Sequence, residues 1–186
     1  MKATGIVRRI DDLGRIVIPK EIRRTMRIRE GDALEIFTSA DGEVVFKKYS
    51  PVGELAGFVG RYAEVLSKLS GLPALICDRD HVVAAAGVPK RDLLQRRISP
   101  SLEQLTDARK SYLRERGASP LQPAEGCEAI CVSYPILSDS DVTGSVMLLG
   151  EQPPTEVQLK LTQAAASFLG RQMESLDCQK RAKVLY

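Results

Sequence analysis

The sequence is poor in the residues from which enzyme and metal sites are built. It has one histidine, His81, and four cysteines, Cys77, Cys127, Cys131 and Cys178. Catalysis needs a nucleophile with its base, paired carboxylates or a metal at workable spacing, and no such set is present. Asp78 and Asp80 flank a turn, where acids commonly serve local hydrogen bonding, and Ser133 with His81 makes no triad. There is no glycine-rich phosphate loop and no metal-ligand cluster, so the chain is expected to be no enzyme and to need no cofactor. Apolar runs such as 142–149 are far too short for a bilayer span, which argues against a membrane partner. No apolar signal core follows Met1-Lys2, and a cytoplasmic location is the expectation. In that reducing compartment the cysteines should be thiols. Cys127 and Cys131, four apart in what reads as one strand, would share a face. Their spacing fits no zinc knuckle; buried or idle thiols are expected, with a redox pair as the alternative.

What the chain does have is localised positive charge. Residues 1–30 hold nine bases, Lys2, Arg8, Arg9, Arg15, Lys20, Arg23, Arg24, Arg27 and Arg29, against four acids, a balance of +5. The whole chain is only +3, so residues 31–186, with eighteen bases and twenty acids, sum to −2. A positive face on a near-neutral protein is the footprint of a phosphate-binding surface. The alternative is a solvated charged edge that keeps strands from aggregating.

Within this head, residues 3–10 are β-branched and basic, Asp11-Asp12-Leu13-Gly14 reads as a turn, and 15–18 as a second strand ended by Pro19. A helix of about two turns follows from Lys20, with Ile22 and Met26 four apart on its inner side and arginines outward. Leu34 with Ile36, and Val44 with Phe46, alternate on two more strands around Asp41-Gly42, a hairpin signal for a tight primed turn. The order is ββαββ in about fifty residues, too few to bury a comfortable core without a staple. No disulfide or metal supplies one, which points to association with a second copy.

The run from Thr4 to Thr25, with Arg29-Glu30-Gly31-Asp32-Ala33-Leu34-Glu35-Ile36 and Lys47-Lys48-Tyr49, resembles the AbrB-type DNA-binding domain of bacterial transition-state regulators. The resemblance implies a swapped-hairpin β-barrel in which two chains interleave their strands. It also implies double-stranded, AT-rich DNA as partner, contacted by Arg8, Arg15, Arg23 and Arg24. Charge and position add Lys2, Arg9, Lys20 and Arg27 as weaker candidates. Arginine suits this role because its planar fork binds phosphate or a guanine edge bidentately and stays charged.

Past the head (1–50), residues 51–55 read as a linker, since proline and glycine punctuate a change of element. Helical spacing runs from Glu54 to Leu69, and a strand pair surrounds Asp78-Arg79-Asp80. One or two charged helices follow over 89–110, a loop over 117–126, and two strands over 128–137 and 142–150. A last helix spans about 154–176, and 179–186 reads as a frayed tail. An antiparallel sheet with packed helices over 56–178 resembles a GAF domain, a fold that binds small molecules and dimerises. The fold class is thus α+β throughout. The signature of cyclic-nucleotide GAF domains is missing, so the ligand pocket is left unassigned, and oligomerisation and sensing both stay open.

An AbrB-type head on a GAF-like half resembles regulators that activate and repress sporulation genes. A swapped head dimer plus a second interface, formed by the helices over 54–70 and 154–176, would give a tetramer, acting at the nucleoid and, by that resemblance, in the forespore. Two other readings remain. In one, the chain is a small-molecule sensor whose basic head only oligomerises; in the other, it is a MazE-type antitoxin whose tail wraps a toxin.

Overall fold

A computed structural model describes residues 4–184 of the protein, and Lys2 lies outside them. The chain divides into two compact units, one ending at Tyr49 and one beginning at Ser50.

In the first unit, helix α1 (Lys20–Met26) precedes strands β1 (Leu34–Thr38) and β2 (Val44–Lys48), which pair antiparallel with Ile36 opposite Phe46. The β1–β2 loop has three residues, 40–42: Ser39 N donates to Glu43 O at 3.0 Å, and Gly42 takes φ +79°. This replaces the expected two-residue primed turn with a turn closed by a left-handed glycine, a geometry equally suited to joining twisted strands.

The two strands expected over 3–10 and 15–18 do not form within the chain. Their turn does: Asp11 N donates to Arg15 O at 3.1 Å and Gly14 N to Asp11 O at 3.0 Å. Either side of it, residues 7–10 and 16–18 find no ladder partner among the described residues. A strand needs a neighbour for its amides and carbonyls, and the described residues offer them none.

The same deficit shows in packing. Among described residues 4–49 only Pro19 is buried. Val7, Leu13, Val17 and Ile36 are 86%, 70%, 72% and 61% exposed. Ile22 is half-buried but Met26, expected on the inner side of α1, is exposed, because no layer of the described residues covers it.

The second unit is a five-stranded antiparallel sheet in the order β4-β3-β7-β6-β5. Its strands are β3 (Ala74–Asp78), β4 (Val82–Ala86), β5 (Tyr112–Leu113), β6 (Ile130–Ser138) and β7 (Asp141–Leu149). Alternation sorts their side chains to two faces. Ile76, Val132, Val146 and Leu148 face helices α2 (Pro51–Glu54), α3 (Ala56–Ser70) and α5 (Glu156–Val184), which contribute Val52, Val59, Leu66, Leu169 and Met173. Leu75, Met147 and Leu149 pack on the opposite side with Leu102 of α4 (Pro100–Asp107) and Ile130. β6 and β7 turn through Asp139 and Ser140, both at positive φ, as a primed hairpin requires.

Several boundaries differ from the sequence reading. The expected linker 51–55 is mostly α2, capped by Ser50, with Val52 fully buried in the second core. The span 89–110 gives α4 and one 3-10 turn, Lys90–Asp92, while Arg97 bridges to His81. The last helix continues to Val184, through part of the expected frayed tail, because no glycine or proline follows Gly170 to stop it. Cys127 lies ahead of β6 and packs in the α4-side cluster, whereas Cys131 sits at a bulge and packs on the α5 side. The two thiols therefore do not share a face. Among the described residues, no helix is long and apolar enough to cross a membrane.

Candidate nucleic-acid interface

Arg8 and Arg9 lie on the extended segment before the first turn, and both are exposed. Exposed Arg15 leaves that turn, and exposed Lys20 then opens α1. Arg23 and Arg24 are exposed in the last turn of α1, where the helix dipole favours cations. Among the described residues, the guanidinium groups of Arg8, Arg9, Arg23 and Arg24 make no ion pair or hydrogen bond. They stand free for an external anion.

Arg27 is different. It is half-buried and caps α1 in the left-handed region at φ 51°, with the following amide, Ile28 N, donating to Arg23 O at 2.8 Å. Its carbonyl accepts from Lys48 Nζ at 3.0 Å, and Lys48 Nζ lies 3.3 Å from Asp32 Oδ2. The Asp32 side chain is only 4% exposed and also accepts from Arg29 N at 2.9 Å. Lys48 and Asp32 thus tie the exit of α1 to the end of β2.

Arg15 is held by one carboxylate. Asp11 Oδ1 accepts from Leu13 N at 3.1 Å and Arg15 N at 2.7 Å, while Oδ2 accepts from Arg15 Nε at 2.7 Å. The backbone amide and then the guanidinium of Arg15 hold the Asp11 carboxyl below the usual carboxylate range. From sequence, Asp11 reads only as a turn residue. The signal for more is an Asp four residues before an Arg across a glycine turn.

Among its described residues, the second unit offers no comparable site. Among the described residues no cluster of His, Cys, Asp and Glu could hold a metal. Burial pushes the Cys77 thiol far above its ordinary value and raises that of Cys131, whose Sγ donates to Gln152 O at 3.2 Å. An open groove lies between the start of α4 and the loop at 120–125. Its central hydroxyl, Ser99 Oγ, is already used by Leu102 N at 3.2 Å and Gln122 O at 2.7 Å.

A second surface is apolar. On α3, Phe58, Tyr62, Val65 and Leu69 follow spacings of four, three and four, and on α5 Val157, Leu161, Ala164 and Phe168 do the same. Tyr62 stacks on Phe168 with centroids 5.6 Å apart, yet Val65, Leu69 and Val157 are 53%, 64% and 63% exposed. This is the seam spacing of packed helices with no layer over it.

Comparison with known proteins fits both halves. The family model described as stage V sporulation protein T C-terminal, transcription factor, matches residues 54–174, and that of the MazE bacterial antitoxin matches residues 7–53. Stage V sporulation protein T of Bacillus subtilis is 52% identical over 178 residues, covering 94% of this chain and 99% of that protein. The transition state regulatory protein AbrB of the same organism is 59% identical over 51 residues, 27% of this chain and 52% of AbrB. Among solved structures, the GAF domain of Thermosynechococcus elongatus PixJ in its blue-light absorbing form aligns at a TM-score of 0.55 and 13% identity, covering 74% of this chain and 95% of that one. At that identity the likeness is one of fold, and the second unit has the GAF fold.

Proposed function

This chain belongs to the stage V sporulation protein T family, and we propose that it is a DNA-binding regulator of sporulation genes, with no chemistry of its own. The observation that carries the proposal is the pairing, in residues 4–49, of free arginines with a unit that has no core of its own. Two copies solve both problems. Interleaving the unpaired segments around 7–10 and 16–18 completes a ladder, buries Val7, Val17, Ile36 and their neighbours, and doubles the arginine set.

On this proposal, Arg8, Arg15, Arg23 and Arg24 contact AT-rich duplex DNA, with Lys2, Arg9 and Lys20 adding charge. Arg27 is a weaker contact because it also caps α1. The seam on α3 and α5 joins two such dimers into a tetramer, and two DNA-binding units in one particle raise apparent affinity through effective concentration. Activation or repression then depends on where the particle sits at a promoter, at the nucleoid in the cytoplasm and, by family resemblance, in the forespore. The GAF-fold unit serves this assembly, and a small molecule acting on it would act through the same helices.

The MazE match supports the fold of the head. An antitoxin of that type holds a toxin with its tail, whereas residues 52–173 here build a packed domain. That contrast favours the regulator.

The test is binding of the intact protein to a mixed AT-rich duplex pool across a salt series, beside a variant with Arg8, Arg15, Arg23 and Arg24 changed to alanine. The eight arginines of a dimer account for at most about −7 of the slope of log affinity against log salt. The expected result is a steep slope that collapses in the variant while its oligomeric state persists. Equal, shallow binding by both proteins would refute the proposal.

A further inference from the structure

The two hairpin turns of the first unit are built alike but from different residues. In both, residue i donates its amide to the carbonyl of i+4, at 3.1 Å for Asp11–Arg15 and 3.0 Å for Ser39–Glu43. In both, the residue at i+3 donates back to the carbonyl of i, and that residue is a left-handed glycine, Gly14 at φ +76° and Gly42 at φ +79°. In both, the side chain of i accepts from the amide of i+4: Asp11 Oδ1 from Arg15 at 2.7 Å, Ser39 Oγ from Glu43 at 3.3 Å.

The turn therefore needs one side-chain acceptor, and a serine hydroxyl suffices. A carboxylate at position 11 adds a second oxygen, and that oxygen is spent on Arg15 Nε at 2.7 Å. The pair is solvent-exposed, with side chains 69% and 37% accessible, so its energetic worth to the fold is small. What it does supply is direction. An arginine held both at Nε and at its main-chain amide loses much of its rotational freedom, and its two terminal nitrogens, unpartnered among the described residues, form the fork that matches a base edge or phosphate.

We propose that Asp11 is a positioning residue for DNA recognition, holding Arg15 by Nε so that its terminal fork is presented to a base edge rather than left to sample many phosphates. The inference rests on the DNA-binding reading above. It divides the basic residues into two kinds. Unpartnered Arg8, Arg23 and Arg24 supply sequence-independent attraction, and held Arg15 supplies discrimination. The lowered titration of Asp11 agrees with a carboxylate that stays charged beside this arginine at any working pH.

The experiment uses the full-length protein and two probes, the tightest duplex that the wild type selects from a random pool and a mixed-sequence competitor. Asp11→Asn is the discriminating variant, because its amide oxygen still serves Leu13 N and Arg15 N while the charged acceptor that faces Arg15 Nε is lost. The expected result is a fall of about tenfold in the ratio of selected to competitor affinity, with the salt slope on competitor unchanged. In an Arg15→Ala background the same change should move the ratio no further, and Asp11→Glu should recover part of it. Asp11→Asn with an unaltered ratio, or with equal gains on both probes from the lost negative charge, would overturn the inference while leaving the DNA-binding reading intact. Wild type that selects no duplex and shows no salt-dependent binding would overturn both.

Discussion

Ser50 donates its hydroxyl to Asp78 Oδ2 at 2.9 Å. The same oxygen, Ser50 Oγ, accepts from Gly53 N at 3.0 Å and caps α2. One residue earlier, Tyr49 N donates to Ala33 O at 2.9 Å inside the first unit. Asp78 also gathers Asp80 N at 2.8 Å and His81 N at 2.6 Å, so one carboxylate closes the β3–β4 turn and anchors the start of the second unit. Ser50→Ala should cost about 1 kcal/mol, the worth of a helix cap, and Asp78→Ala about 2 kcal/mol because three donors lose their acceptor. Urea midpoints, with unchanged slopes, check this order.

Helix α5 crosses the sheet where it has no side chain. A Cβ added at Gly170 would fall on the carbonyl oxygen of Leu137, while one added at Gly60 in α3 meets nothing within 4 Å. The same substitution should therefore have opposite signs. Gly170→Ala forces α5 off β6 and should destabilise by about 2–3 kcal/mol. Gly60→Ala gains helix propensity, up to about 1 kcal/mol. Thermal unfolding at matched protein concentration reads both.

Cys77 is fully buried on β3, and burial raises its thiol well above the ordinary range, with Asp78 and Cys127 adding in the same direction. Thiolate is the reactive form. In the folded protein at mildly alkaline pH, maleimide should leave Cys77 unmodified, and urea should expose it to complete labelling. Peptide mass spectrometry separates it from the other cysteines.

Asp11 should titrate below a free aspartate, which lies near about 3.9. A depressed folded value means that the stabilisation is fully present above the unfolded pKa and is lost as pH falls through the folded one. The turn should thus be indifferent to pH from neutrality down to the ordinary carboxylate range and loosen only below it. Carboxyl chemical shifts of Asp11 follow this directly, and Arg15→Ala should move the midpoint back up.

The elements readable from the sequence are those closed within one chain. Alternation in β3, β4, β6 and β7 and the turn residues around Asp78 and Asp139 place the second sheet, since the β3–β4 and β6–β7 partners lie a few residues apart. Boundaries fail where the deciding contact is distant in sequence: Ser50 finds Asp78, and Val52 belongs to a core built mainly from residues after 59. Cys127 and Cys131 are misplaced by alternation because period two holds only inside a regular strand, and the bulge at Ile130/Val132 breaks it. The basic residues are legible as a set from charge, but charge does not tell Arg27, which caps α1, from the free Arg23. The role of Asp11 needs the positions of Nε and the backbone amide together.

The measurement that bears most directly on a head assembled from two copies is amide hydrogen exchange on the intact protein at residues 7–10 and 16–18. None of these amides has a hydrogen-bond partner among the described residues of the chain, whereas alternate amides of β1 and β2 bond across their ladder. If two chains interleave, the first set should exchange at least about a thousandfold more slowly than free peptide, as slowly as β1 and β2. Exchange at free-peptide rates, beside a protected β1–β2 hairpin, would contradict the shared barrel and with it the doubled arginine surface.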